Sequence, residues 1–88
     1  MTQRIRDVIL VLADGQGEWV DFVGRLFPTP DTSRPEALVG NVIFRKVTSI
    51  ESLRGVRATG LIVLEGFRYK PHSVEILTEA QRCVHYEQ

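Results

Sequence analysis

Two kinds of apolar spacing alternate along this chain. Val8 to Ala13 is an unbroken apolar run with no polar face. Bounded by turn residues, such a run predicts a strand buried on both sides. Asp14, Gly15, Gln16 and Gly17 end it. From Glu18 the spacing becomes helical: Trp19, Phe22, Val23, Leu26 and Phe27 fall at i, i+3, i+4, i+7 and i+8. Glu18 and Asp21 suit the positive end of that helix's dipole, and Pro28 and Pro30 stop it. Pro28 to Glu36, rich in proline and short polar residues, reads as a surface loop.

Leu38 to Val47 predicts the second strand, and Arg45 and Lys46 suit its emergence at an edge. Thr48 and Glu51 have the spacing of a capping box in front of a short helix carrying Ile50 and Leu53. Gly55 is placed to end that helix in the left-handed conformation. Leu61 to Leu64 is the third strand, again apolar on both faces. Pro71 to Ser73 opens a last helix whose stripe is Ile76, Leu77, Ala80, Cys83 and Val84. Glu75 and Glu79 early, and Arg82 and His85 late, suit its dipole. Ile5 is a possible first strand residue, and Tyr86 to Gln88 are expected to fray.

Fully apolar strands alternating with amphipathic helices predict an α/β fold, a small three-layer α/β/α domain over residues 1–88. Its sheet is expected to hold three parallel strands in the order 2-1-3, with Val8 to Ala13 central. The alternative is an α+β, ferredoxin-like arrangement. There the second and third strands pair antiparallel, and Val84 to Tyr86 supplies a further strand.

Composition narrows the function classes. Eleven basic residues balance eleven acidic ones, for a formal net charge of +0. That balance argues against a sequence-independent grip on nucleic acid, which needs clustered positive charge. Arg45, Lys46, Arg54 and Arg57 form a locally basic stretch, with Arg68 and Lys70 beyond it. A solvated face is the favoured reading of that stretch, with nucleic acid a weaker one. Cys83 is the single cysteine, so no internal disulfide forms. His72 and His85 are separate, and no Cys or His spacing fits zinc. The amino-terminal residues have too short an apolar core for a signal peptide, and no run approaches the length of a membrane helix. The expectation is a soluble, cytoplasmic protein without a cofactor or a bound metal.

In an open parallel sheet, ligands bind beyond the carboxyl ends of the strands. That crevice would be walled by Asp14, Gly15, Gln16 and Gly17 on one side and by Glu65, Gly66, Phe67, Arg68 and Tyr69 on the other. Asp14 and Glu65 either cap the nearby helix and turn, which is the favoured reading, or hold Mg²⁺ through oxygen ligands and water. Gly15-Gln16-Gly17 before a helix would present N–H groups to a phosphate. The phosphate-loop signature nevertheless fails at Glu18-Trp19, and Val20 breaks the dinucleotide pattern. Glu18 would also repel an incoming phosphate.

Residues Thr48 to Gly66, TSIESLRGVRATGLIVLEG, resemble the segment leading into the second acidic strand of P-loop NTPases of the phage-packaging and helicase-like kind. The resemblance implies that Glu65 matches the strand-end acid that orients magnesium or water. With the phosphate loop missing, it implies a degenerate three-stranded piece of that fold without its activity. Leu64-Glu65-Gly66 is also similar to the start of a toprim nuclease domain, but that family's later Asp-x-Asp is absent. The small α/β character is similar to that of bacteriophage-encoded accessory proteins.

Two functions follow. The first is a non-catalytic protein-interaction module, binding a protein partner or self-associating, as a phage-encoded accessory factor would on a host or phage protein. The alternative is a small nucleotide- or phosphate-ligand binder or enzyme. Its site would be Asp14, Gly15, Gln16, Gly17, Glu65 and Arg68.

Overall fold

The computed structural model describes residues 7–28 and 31–84. The expectations for Ile5, Pro30, His85 and Tyr86 to Gln88 lie outside those residues. β1 (Asp7–Leu12) takes the centre of the sheet, and Leu10, Val11, Leu12 and the following Ala13 are wholly shielded from solvent. β3 (Val42–Val47) and β4 (Gly60–Val63) flank it, both parallel to it. Leu10 sits between Arg45 and Leu61, and Leu12 between Val47 and Val63. The three parallel strands therefore have β1 in the middle, as its lack of a polar face requires.

The sheet is not the three-stranded parallel one expected. It has four strands and is mixed, in the order β2-β3-β1-β4. The extra strand, β2 (Glu36–Val39), pairs antiparallel with β3 at one edge. The stretch Leu38 to Val47 is thus not one strand but a hairpin, and Glu36 belongs to it rather than to the preceding loop. Gly40 and Asn41 make the link, with Val39 paired to Val42 and Gly40 in the left-handed region at φ 61. The ferredoxin-like alternative is not adopted either, because β3 and β4 pair with β1 from opposite sides and not with each other.

Successive side chains of a strand point to opposite faces, so β1 feeds two separate cores. On one face α1 (Gln16–Leu26) packs Trp19 and Val23 against Val11, Ala13 and Ala37. Phe22 stacks on Trp19 with ring centroids 6.1 Å apart and meets Phe44 edge-on at 5.6 Å. On the other face α2 (Ser73–Cys83) packs Ile76 and Ala80 against Leu10, Leu12 and Val47, together with Leu53 and Phe67. Trp19 and Phe67 are the largest fully buried side chains, one in each core. Truncating either to alanine costs about 3–5 kcal/mol.

The connector from β3 to β4 departs from the expected capped helix. It is one 3-10 turn, Ile50–Leu53, that begins after Ser49 with no side-chain cap bond. The Ser52 N–H donates to Ser49 O, so the backbone itself closes the turn, and Ser49 Oγ lies 3.2 Å from Ser52 Oγ. Gly55 does take the left-handed conformation, at φ 66. One short turn covers less sheet than a full helix. Leu38 and Ile43 are paired on the α2 face, yet they stand outside both cores, and Leu38 is 56% exposed. No helix among the described residues is long and apolar enough to cross a membrane.

Candidate functional site

The carboxyl ends of the parallel strands bring the Asp14 and Gly66 loops together, and a residue outside the expected set ties them. Glu18, in the first turn of α1, points back over the crevice. The Asp14 N–H donates to its Oε1 at 2.7 Å and the Gly66 N–H to its Oε2 at 2.6 Å. A Cβ at Gly66 would come within 2.5 Å of Glu18 Oε2, so a larger residue there would push the flexible Glu18 side chain off its donors. One carboxylate thus occupies two backbone donors that lie 52 residues apart in the chain, from 14 to 66. An anion arriving at those amides would have to displace it.

The neighbouring cations are also engaged. Lys70 Nζ donates to Asp14 O at 2.7 Å, and Lys46 Nζ to Gln16 Oε1 at 2.6 Å. The Gln16 amide in turn donates to Thr32 O at 2.8 Å. Gln16 therefore links the start of α1 to β3 and to the loop before β2. Gly15 precedes α1 with an extended backbone, and Gly17 is exposed with open space around it.

The other expected residues separate. Asp14 is exposed, and its described bonds are made by its backbone. Glu65 lines a hollow of about 180 Å³ beside α1, with Glu18, Asp21, Phe22 and Arg25. Arg68 lines a different one of about 330 Å³ beside α2, with Val63, Phe67, Val74 and Leu77. Residues three apart in the 3-10 helix Glu65–Tyr69 thus serve opposite sides of the sheet edge. The basic stretch divides in the same way. Arg45 and Lys46 are adjacent on β3 and so lie on opposite faces, while Arg54 and Arg57 are exposed on the connector to β4. Among the described residues no group of three His, Cys, Asp or Glu is placed to hold a metal ion. Cys83 is half-buried with its Sγ 3.7 Å from Leu53 O, the surroundings of a structural thiol.

Two features escaped the sequence reading. A hollow of about 530 Å³ lies between the 48–51 segment and the start of α2, with Ser49, Glu51, Lys70, His72 and Glu75 on its walls. His72 adopts φ 63 there, and its Nδ1 is 3.6 Å from Glu75 Oε1. The second is the turn that Asp31 and Ser33 make within the expected surface loop. The Ser33 hydroxyl and backbone N–H both donate to Asp31, holding that carboxyl below its ordinary range. No family model matches the chain, and no curated protein or solved structure is found to be similar to it.

Proposed function

We propose that the chain is a non-catalytic protein-interaction module, and that it associates through the β2 edge of its sheet, with which none of the described residues pairs. The observation that carries this reading is the exposure of Leu38 and Val39, at 56% and 38%, on an edge strand. Edge strands of soluble domains are usually protected by charge, a bulge or a covering segment. β2 is short and carries Glu36, but its remaining residues, Ala37, Leu38 and Val39, are apolar. A hollow of about 470 Å³ runs alongside, between Phe27, the Asp31 to Pro35 loop and Leu38. The arrangement at the carboxyl edge agrees with a non-catalytic role, since the two amides that an anion would approach serve Glu18.

The test compares wild type with Leu38→Lys. Native mass is read by size-exclusion chromatography with light scattering, and partner capture by pull-down from lysate. The expected result is association that Leu38→Lys abolishes while circular dichroism stays unchanged. A monomeric wild type that captures nothing, or an association indifferent to Leu38→Lys, overturns the reading.

A further inference from the structure

We infer that β2 is the seam of a symmetric homodimer, in which two copies pair this strand antiparallel with Leu38 opposite Leu38 of the second copy. The inference rests on the interaction-module reading and names its partner.

The free edge is set by the phase of the ladder. The Lys46 N–H donates to Pro35 O at 2.7 Å. Bonded and non-bonded pairs alternate along an antiparallel ladder. Pro35, Ala37 and Val39 therefore direct their backbone groups to β3, and Glu36 and Leu38 direct theirs outward. Among the described residues none pairs with that outer side. At the opposite edge of the sheet, by contrast, the Ala58 N–H donates to Cys83 O at 2.9 Å and Val84 bridges Ala58 beside the entry to β4.

Charge and register select a second copy as the occupant. The chain has a formal net charge of +0, so two copies meet without long-range repulsion. The single charge on β2, Glu36, lies directly across from Arg45 of its own sheet. Outward residues must pair with outward residues, which leaves few registers. Setting Glu36 against Glu36 opposes like charges, and setting Glu36 against Leu38 opposes a carboxylate to an apolar side chain. With Leu38 against Leu38, each clash disappears. Ile43, Leu38 and their two symmetry mates then form one apolar row on the α2 face, and Ala37 meets Val39 twice on the α1 face. The carboxylates of the two Glu36 residues fall at opposite ends of the seam. The contact is self-complementary, as a two-fold interface must be, and it joins two four-stranded sheets into one.

Light scattering, crosslinking and capture together test the seam. Wild type should have a native mass twice that of the 10.0 kDa chain, and Leu38→Pro should halve it. The Leu38 N–H takes no part in the ladder to β3, so proline there spares the bonds to β3 and removes the intermolecular donor. A route that does not depend on that variant folding is Leu38→Cys in a Cys83→Ala background. Facing residues of a bonded antiparallel pair have Cα atoms about 5.5 Å apart, inside the disulfide range of about 4.4–6.8 Å. Mild oxidation should give a covalent dimer at position 38, and a control cysteine at Glu51 should give none. A wild type that stays monomeric at the highest attainable concentration overturns the dimer, as does a dimer that fails to crosslink at position 38. If the monomer still captures a partner in a Leu38-dependent way, the interaction-module reading survives and only the second copy is lost.

Discussion

The carboxyl edge of the sheet and its β2 edge use their polar groups in opposite ways. At the carboxyl edge, where an α/β fold ordinarily takes a ligand, Asp14 and Gly66 donate to Glu18, and Lys46 and Lys70 reach oxygens of Gln16 and Asp14. At β2, Glu36 and Leu38 turn backbone donors and acceptors outward beside exposed apolar side chains. The difference teaches that position in a fold does not by itself make a site. An internally bonded edge costs energy to open, whereas an edge whose ladder groups are unmet among the described residues gains by meeting another strand.

The comparison breaks most completely if the central strand, which both cores share, fails. Leu10 is fully buried in the α2-side core, on the strand that carries both layers, and Leu10→Asp would bury an unpaired charge there. That variant should not fold, giving an unfolded far-UV circular dichroism spectrum and losing both edges at once. Glu18→Ala acts at the bonded edge alone. It removes two hydrogen bonds to a half-exposed carboxylate and should cost about 2 kcal/mol by urea titration. A negligible loss would show that the clip contributes nothing. Leu38→Lys acts at the open edge alone, and should change monomer stability by no more than about 0.5 kcal/mol while abolishing association. Asp14→Ala and Glu65→Ala should be equally mild, because both side chains are exposed at strand ends. A loss above about 1 kcal/mol at either would mean that the bonded edge depends on more than Glu18.

The smallest expected effect concerns the loop that leads into β2. Asp31 titrates below its ordinary value because Ser33 donates to its ionised form. The turn is therefore held at pH values above the ordinary carboxyl range and released as pH falls through the lowered value. Ser33→Ala should move the Asp31 midpoint upward. An NMR titration that finds the midpoint unmoved would remove the Ser33 hydroxyl as the cause and leave its backbone N–H.

The parallel part of the sheet was legible because Val8 to Ala13 and Leu61 to Leu64 have no polar face, which leaves few ways to cover them. The hairpin was not read, although its signal was present. Gly40-Asn41 between Val39 and Val42 is a two-residue turn between apolar flanks, and the longer apolar content of Leu38 to Val47 masked it. The capping box failed for a different reason: a four-residue 3-10 turn satisfies itself through the backbone. The meeting of the Asp14 and Gly66 loops followed from strand order. Glu18 as their clip did not, because its first-turn position already had a sufficient local explanation in the helix dipole.

Trp19 is the single tryptophan, fully buried on the α1 side of the sheet, and its Nε1 has no hydrogen-bond partner among the described residues. An indole in so dry a place fluoresces at short wavelength, and its emission moves to the red when water reaches it. The chain therefore carries an intrinsic optical probe of one layer only, since Phe67, Ile76 and Ala80 on the opposite face contain no such group. If both layers melt as one unit, the fluorescence transition will coincide with the loss of helical ellipticity. If the emission shifts while much of the ellipticity persists, the α1 layer opens first and leaves α2 in place.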